Sequence, residues 1–321
     1  MLPGNQAPPA GVPVRFDRLL HLGNVVVDVV VSVPALPERG GDVMASQAEA
    51  TAGGGFNVMA AAARQGLRAA YAGAHGTGPF GSLARAALAQ EGIDVIQPVK
   101  TGVDTGFVLT IVEASGERTF LTSRGAEAKL TAADLDPVHP AQRDAVYLSG
   151  YSLVHGSNRA ALLGWLARLS DGHTMFFDPG PLVGSIPASE LAVVLGRADW
   201  LNCNAREAAI LAGSTDPWAA VTALTSRTSR SRVLVRTGPD GCLIGRPDAR
   251  VVHVPGFSVR VVDTNGAGDT HSGAFIAALA AGAAETAAAR SANAAAALSV
   301  TRRGPATAPT QDELAHFLAA T

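Results

Sequence analysis

Short apolar runs alternate with longer helical segments through the second half of the chain, from about residue 144 onwards. This alternation is typical of strand–helix units, which build a parallel sheet with helices on both faces. The expected strands lie at 145–150, 174–178, 200–202, 232–236 and 242–244, and expected helices at 158–169 and 189–195. Ligands bind such sheets beyond the carboxyl ends of the strands. The polar residues that follow strand ends should therefore line one cleft, and they are Asp178, Asn204, Thr237 and Gly238.

Residues 19–33 are dominated by Val and Leu and predict a buried strand, interrupted by Gly23-Asn24. Asp28 lies inside this run, where a carboxylate is costly to bury unless it has a partner. On the residues alone, a strand-end acid that faces solvent is as good an interpretation as a partnered acid.

A glycine turn at 53–55 precedes an Ala-rich helix that ends at Gly66, a usual residue just after a helix end. No Gly-Lys-Ser/Thr follows these glycines, so the segment is not a Walker A phosphate loop. Residues 106–112 and 118–122 are strand-like and are joined by a turn-rich link, which is typical of a β-hairpin.

Residues 262–275 give the clearest indication of a chemical function. Residues 257–262 alternate and are β-branched, as in a strand, whereas 270–281 are rich in Ala and predict a buried helix. Gly266-Ala267-Gly268 therefore lies where a strand turns into a helix, and the free N–H groups and helix dipole there favour an anion. Asp269 is either an N-cap or a base that takes a proton from a hydroxyl attacking a phosphoryl group.

With 321 residues, 47% of them hydrophobic, the chain can bury a large core in one large α/β domain or two smaller ones. A formal net charge of -2 gives no electrostatic reason to expect nucleic acid or an anionic membrane as a partner. Cys203 and Cys242 have no paired spacing and the histidines do not cluster, so we expect no directly protein-ligated transition metal. Residues 1–14 predict a disordered tail and not a signal peptide, and no apolar run of about twenty residues is unbroken. These features favour a cytoplasmic protein.

The sequence Asp263-Thr264-Asn265-Gly266-Ala267-Gly268-Asp269 resembles the D-T-x-G-A-G-D signature of the ribokinase-like (PfkB-type) carbohydrate and nucleoside kinases. The resemblance covers nearly the whole chain, from about residue 19 to 318. It implies an α/β fold with a central, mostly parallel sheet, helices on both faces and a small β-sheet lid. We therefore expect one kinase domain at 15–321, with lid segments at about 33–52 and 104–124. Such a lid excludes the water that would otherwise hydrolyse a phosphoryl donor.

The resemblance implies that Asp28, Gly53 and Asn57 bind the sugar. Residues 52–57 are similar to the family's G-G-x-x-x-N motif, whose glycine backbone and asparagine contact the sugar. Ala52 stands where the first glycine is usual, which leaves the approach of substrate to that backbone open, and Asn57 could instead cap a helix. Asp28 matches the family's sugar-binding Asp at the end of the first strand.

Residues 69–81 predict a strand followed by a Gly-rich turn. Their spacing does not give the G-x-G-x-x-G that directly follows a strand in dinucleotide-binding folds. The stretch is instead similar to the family's G-x-x-G-x-D-x-x-G pattern, which Gly73, Gly76 and Gly81 follow, whereas Gly78 replaces the usual Asp.

ATP and Mg²⁺ are the cofactors that the resemblance implies. Asn204 and Glu207 match the family's N-x-x-E motif, whose side chains organise magnesium and phosphate through water. The same pattern is also typical of a capping box at a helix start. Thr237 and Gly238 match a loop that contacts the nucleotide, and Asn293 matches a position against adenine. Asn293 is nearly as well explained as a polar residue on an Ala-rich helix.

A monovalent cation, K⁺, is a further expectation from the resemblance. Residues 299–304 resemble the family's C-terminal loop, whose carbonyl groups hold such an ion together with those beside the signature. Asp263 and Val300 are the candidate residues. His271 is next to Asp269 but is expected to lie on a helix face and not to act as the base.

The resemblance implies an ATP-dependent kinase that phosphorylates a hydroxymethyl group of a sugar, as ribokinase and fructokinase do. Asp269 would take the proton, and the N–H groups of residues 266–268 would stabilise charge on the γ-phosphoryl group. A nucleoside kinase of the adenosine, inosine or pseudouridine type is the closest alternative, because the same residues would bind a ribose. A non-catalytic sugar-sensing protein is a further alternative, which the intact Asp269 disfavours. The edge strands of the lid could pair two copies into a homodimer.

Overall fold

The computed structural model describes residues 16–227, 230–247 and 249–321, so the tail expected at 1–14 lies outside the described residues. The described part forms two separate sheets, and most of its helices pack on the larger one. The strands are β1 (Arg18–Leu22), β2 (Val25–Val33), β3 (Gln47–Gly54), β4 (Arg68–Tyr71), β5 (Asp94–Val95), β6 (Phe107–Glu113), β7 (Arg118–Ser123), β8 (Asp144–Ser149), β9 (Met175–Asp178), β10 (Trp200–Asn204), β11 (Arg232–Arg236), β12 (Cys242–Gly245) and β13 (Val252–Val254). The helices are α1 (Gly55–Arg64), α2 (Pro79–Gln90), α3 (Ala132–Leu135), α4 (Gly150–Val154), α5 (Gly156–Leu166), α6 (Ala188–Arg197), α7 (Ala205–Ala212), α8 (Pro217–Arg227), α9 (Ala267–Ala280), α10 (Glu285–Ser299) and α11 (Gln311–Ala320).

The larger sheet has the strand order β13-β12-β11-β10-β9-β8-β1-β4-β5. The strands from β11 to β5 run parallel to one another, which confirms the predicted mostly parallel sheet. β12 and β13 are antiparallel instead. Only residues 237–241 separate β11 from β12, and this is too short for the crossover that a parallel neighbour needs. The two strands therefore form a hairpin.

Two hydrophobic cores cover the two faces of the larger sheet. Successive residues of a strand point to opposite faces, so Leu19 of β1 packs into one core and Leu20 into the other. The first core includes residues of α1, α9 and α10, and the second includes residues of α5, α6 and α8. Most residues of the central strands are apolar because both faces of these strands are covered. No helix among the described residues combines the length and the apolar character that crossing a membrane requires.

A smaller sheet, with the order β3-β2-β6-β7, is separate from the larger one. In it, β2 pairs antiparallel with β3 and parallel with β6, and β6 and β7 form the predicted hairpin. The apolar run at 19–33 is therefore divided at Gly23-Asn24, with β1 in the larger sheet and β2 in the smaller one. Asp28 lies in the middle of β2, which corrects its expected place at the end of the first strand. The predicted lid segments, 33–52 and 104–124, include β6, β7 and most of β3 but leave out nearly all of β2.

Residues 257–262, all within the described part, form no strand, and the prediction of one was wrong. Phe257 packs against Phe317 of α11, with ring centroids 5.3 Å apart. The Val262 N–H donates to the Val300 carbonyl oxygen at the end of α10, at 2.7 Å. This segment thus forms an irregular connection that contacts helices and not a neighbouring strand.

Gly273 lets α9 cross α1 closely, because a Cβ at this position would overlap the Val58 carbonyl oxygen and lie 2.6 Å from the Ala61 Cβ. We expect Gly273→Ala to lower the free energy of unfolding by about 1–3 kcal/mol, since an overpacked contact between two helices cannot relax freely. Gly196→Ala in α6 is the matched control, because no atom of the described residues lies within 4 Å of its added Cβ. That change should be neutral or stabilising by up to about 1 kcal/mol. Urea unfolding measures both variants, and equal stabilities would contradict the packing argument.

Candidate active site

The carboxyl ends of β8 to β11 meet at one edge of the larger sheet. Strand register places Ser149 of β8 beside Asp178 of β9, and Asn204 of β10 beside Arg236 of β11. Nη2 of Arg236 donates to Oδ2 of Asp178 at 3.1 Å and lies 3.8 Å from Oε2 of Glu207. Asp178 and Asn204, which the sequence predicted at this edge, therefore belong to one charged cluster.

The first turn of α9 lies against this edge, where Nη1 of Arg236 donates to the Ser272 hydroxyl oxygen at 3.0 Å. Gly266 caps the helix with a left-handed φ of 73°, and a Cβ there would overlap the Pro305 carbonyl oxygen, so glycine is required. The helix begins at Ala267, within the turn predicted to bind an anion and before the residue 270 expected from the sequence. Helix N-termini favour negative charge through their free N–H groups and their dipole.

Asp269 lies in this first turn and is half-buried. Its Oδ2 accepts a hydrogen bond from Nδ2 of Asn57 at 3.1 Å, which joins α9 to α1. Burial raises the pKa of Asp269 to about 7, the Asn57 hydrogen bond opposes the shift, Asp178 adds to it and Arg236 opposes it. A carboxyl group whose pKa is near neutrality is suited to take a proton from a hydroxyl. His271 is buried in α9, where burial lowers its pKa to about 3, so it is neutral near pH 7.

The three residues predicted to bind the sugar lie around Asp269. A Cβ at Gly53 would overlap the Asp28 carboxylate, so these two residues are in contact. Burial raises the pKa of Asp28 to about 6, and the charge of Asp28 in turn raises the pKa of Asp269. Oδ1 of the buried Asn57 has no hydrogen-bond partner within the described residues, which leaves an acceptor for a ligand hydroxyl. Ala52 packs in the hydrophobic core, on the face opposite Gly53, so its methyl group does not obstruct this side.

Asp104 supplies the carboxylate that Gly78 lacks. Its Oδ1 accepts from the Gly81 N–H at 2.7 Å, and its Oδ2 accepts from the Phe80 N–H at 3.1 Å, at the start of α2. A Cβ at Gly78 would overlap the Asp104 carboxyl group. Asp104 lies just before β6, so the N-terminus of α2 is capped from the base of the smaller sheet.

Asn204 and Glu207 form the capping box that their spacing allows. The Glu207 N–H donates to Oδ1 of Asn204 and the Asn204 N–H donates to Oε2 of Glu207, each at 2.9 Å, while Nδ2 of Asn204 donates to Oε1 at 2.8 Å. Burial raises the pKa of Glu207 and Asp178 adds to the shift, whereas Arg236 opposes it. The Asp178 and Glu207 carboxylates are oxygen ligands of the kind that Mg²⁺ binds directly or through water. The cap and a role near magnesium are therefore compatible.

Thr237 and Gly238 follow β11 at the same edge, as predicted. Around Gly238, no atom of the described chain lies within 4 Å of a built Cβ, so a ligand has room there. Asn293 lies in the interior, where its Nδ2 donates to the backbone carbonyl oxygens of 254–255 and its Oδ1 pairs with Nε2 of His271, each at 3.0 Å. The amide thus links α10, α9 and the end of β13, and its contact with adenine stays a prediction.

Asp263 and Val300 are adjacent, but their oxygens already have partners. The Val300 carbonyl oxygen accepts from the N–H groups of Val262 and Asp263, at 2.7 and 3.2 Å. The Asp263 carboxylate accepts from the Gly304 N–H at 3.2 Å and from Nη2 of Arg118 at 3.3 Å. Burial alone would raise the pKa of Asp263, but its hydrogen bonds and Arg118 lower it. A K⁺ ion would share these oxygens, and this site also stays a prediction.

Arg236 is the candidate residue that the sequence analysis missed. It ends an apolar strand at the same edge as Asp178 and Asn204, which were recognised. A charged side chain that ends a buried strand between polar strand ends needs a partner, and this is the signal that could have identified it.

Comparisons with known proteins agree with this geometry. The model of the pfkB family of carbohydrate kinases matches residues 17–312. The chain is 34% identical over 302 residues to the uncharacterized sugar kinase YegV of Escherichia coli K12, covering 93% of each chain. It is 33% identical over 306 residues to the ATP-dependent ribose-1-phosphate kinase of Halopiger xanaduensis, covering 94% of this chain and 98% of that one. The fold is similar to that of ribokinase from Thermotoga maritima, with a TM-score of 0.80, 24% identity, and coverage of 95% of this chain and 99% of that one.

Asp269→Asn should retain nucleotide binding but lower kcat by roughly 10²–10⁴-fold, because an amide cannot take the proton of an attacking hydroxyl. Steady-state ADP release measures turnover, and titration calorimetry measures ATP binding. Asp312→Asn, which changes an exposed acid in the first turn of α11, is the matched control and should leave both unchanged. Turnover of Asp269→Asn within about tenfold of the parent would exclude Asp269 as the base.

The raised pKa of Asp269 predicts an acid limb in the pH profile. The carboxyl group must be deprotonated to accept a proton, so kcat/KM should fall as the pH drops below about 7. Protonation of Asp28, whose pKa is about 6, should add a second loss at lower pH. A flat kcat/KM between about pH 5 and pH 8, with an unchanged circular dichroism spectrum, would contradict this assignment.

Proposed function

Because the chain belongs to the pfkB family of carbohydrate kinases, we propose that it transfers the γ-phosphoryl group of ATP to a hydroxymethyl group of a sugar. It is a sugar kinase by family, and the phosphoryl donor and the acceptor hydroxyl are the parts that we propose. The supporting observation is the Asp269 carboxylate, which Asn57 holds in the first turn of α9 beside the glycine turn at 266–268. A base with a raised pKa thus lies next to a helix N-terminus that favours anions.

In the proposed reaction, Asp269 accepts the proton of the sugar hydroxyl while the hydroxyl oxygen forms a bond to the γ-phosphorus. The bond from the γ-phosphorus to the β–γ bridging oxygen breaks, and ADP leaves with that oxygen. The backbone N–H groups of residues 266–268 are the proposed donors to the oxygens of the transferring group. With the nucleotide bound, Mg²⁺ would neutralise phosphate charge, and Asn204 and Glu207 are the residues proposed to hold its waters.

The remaining hydroxyls of the sugar are proposed to bind Asp28 and the free Oδ1 of Asn57. Gly53 leaves the Asp28 carboxylate uncovered, because any side chain there would overlap it. Asp28 belongs to the smaller sheet, for which we propose the role of a lid that excludes water from the reaction. The reaction is proposed for the cytoplasm, where ATP is supplied.

Two other substrate classes are kept as candidates. A nucleoside presents the same ribose hydroxyls to Asp28 and Asn57, so these residues do not separate it from a free sugar. A sugar phosphate is suggested by the relative from Halopiger xanaduensis, which is a ribose-1-phosphate kinase. A second copy of the chain could pair through β7, an edge strand with exposed Phe120 and Leu121, to form a homodimer.

ADP release from Mg·ATP, measured against pentoses, hexoses, nucleosides and ribose 1-phosphate with and without K⁺, tests the proposal. We expect one class to stimulate release, and Asp269→Asn to abolish the stimulation. Phosphate at a hydroxymethyl carbon of the product, seen by NMR, would identify the acceptor. Silence across the panel, with ATP still bound, would contradict this function and favour a sugar-sensing protein.

A further inference from the structure

Arg236, the last residue of β11, holds three groups of the active-site edge at once. Its Nη1 donates to the Ser272 hydroxyl at 3.0 Å, and its Nη2 donates to Asp178 at 3.1 Å and lies 3.8 Å from Glu207. The side chain is 12% exposed. These contacts join β9, α7 and α9 to β11 through one guanidinium group.

The guanidinium also faces the start of α9. A Cβ built on Gly268 would lie 3.5 Å from Nε and 3.6 Å from Cζ and Nη2 of Arg236. These are van der Waals distances for the added atom, so the guanidinium lies beside Gly268, on the side where a side chain would point and separated from the Cα by the space of about one methyl group. The N–H of Gly268 is one of those proposed to face the transferring phosphoryl group, and a positive charge beside it adds to the effect of the helix dipole.

Arg236 keeps its charge in these surroundings. Burial alone would lower its pKa, but Asp178 and Glu207 outweigh burial and raise the pKa above its ordinary value. A charge acts more strongly in buried surroundings than in water. The acids Asp178, Glu207 and Asp269 place negative charge around this point, which disfavours the charge that develops on a transferring phosphoryl group, and the Arg236 charge opposes that effect.

We propose that Arg236 is a positioning residue for phosphoryl transfer, whose fixed positive charge beside Gly268 stabilises the negative charge that develops on the transferring group. This inference rests on the proposed function and adds to it a residue that acts through the backbone of α9. Asp178 and Ser272 hold the guanidinium, so the charge is aligned before substrates bind and no reorientation is needed during the reaction.

Arg232 offers a matched control for a merely structural ion pair. It lies on the same face of β11, its Nε donates to Oε1 of Glu285 at 2.7 Å, and its guanidinium lies 5.7 Å from the Trp200 ring centroid. It is at the other end of the strand from the active-site edge. Replacing either arginine removes an ion pair, but only replacement of Arg236 changes the charge beside the start of α9.

The experiment compares Arg236→Met, Arg236→Lys and Arg232→Met by their kcat and by their KM for ATP and for the substrate found in the panel. We expect Arg236→Met to lower kcat by roughly 10²–10³-fold, as removal of one transition-state donor does, with either KM changed by less than about threefold. Arg236→Lys keeps the charge and should recover at least about tenfold of this loss. Arg232→Met should stay within about threefold of the parent kcat. A loss in Arg236→Met no larger than that in Arg232→Met would overturn the proposal.

If thermal unfolding shows that Arg236→Met does not fold, Arg236→Gln against Arg232→Gln makes the same comparison with a polar residue that lacks the charge, and a kcat loss no larger in the former overturns the proposal. A second readout is the rise in Tm that aluminium fluoride adds to the protein with Mg·ADP and sugar, because this anion imitates the transferring group. The rise should be lost in the uncharged Arg236 variant and kept in the matching Arg232 variant, and an equal rise in the two would overturn the proposal. Failure of the proposed function differs from failure of this inference, because the parent protein itself would then release no ADP with any compound. In that case the inference about Arg236 would fail as well.

Discussion

Several carboxyl groups must be kept close together and largely out of water at the edge where β9, β10 and α9 meet. Burial disfavours ionisation and raises the pKa of Asp28 to about 6 and that of Asp269 to about 7, and the charges of Asp178 and Asp28 add to the shift of Asp269. Arg236 and the Asn57 amide offset part of this cost through the bonds that they donate. The two cores on either side of the sheet and the close crossing of α1 and α9 hold these groups in place. A rigid frame is therefore what allows a carboxylate with a raised pKa to exist at this point.

The amino-acid sequence was sufficient to predict the parallel sheet and the hairpin of β6 and β7, because both follow from local apolar runs and turn residues. It was not sufficient to divide 19–33 between two sheets, since β1 and β2 are both rich in apolar residues and their distant pairing partners are what separates them. The prediction of a strand at 257–262 was wrong for the same reason. A β-branched pattern indicates extended backbone but does not show whether a neighbouring strand is available. In the structure, Phe257 of this segment packs against α11 instead of pairing with a strand.

The candidate site residues were proposed from the family resemblance more than from local physics. Nothing in the pattern around Asn57 indicates that its amide contacts Asp269, because the two residues lie on different helices. Arg236 was missed because an arginine at a strand end is usually solvated, and its partners Asp178 and Ser272 come from other elements. Asn293 is the opposite case, a residue that the resemblance identified but that local structure also explains. Its buried hydrogen bonds account for a polar residue on an Ala-rich helix whether or not a nucleotide lies nearby.

The cap of α2 bears on how this chain can vary. The Asp104 carboxylate fills the space that a side chain at Gly78 would need, so an acid can stand at one of these positions but not at both. The two positions are therefore coupled in one direction, because a side chain at position 78 would require a smaller residue at position 104. In a homologue with an acid at position 78, the residue at 104 should be small, and the start of α2 would then lose its contact with the base of the hairpin. A change at Asp104 alone would remove the cap of α2 without creating a clash, whereas a side chain at position 78 would displace the Asp104 carboxylate from that cap.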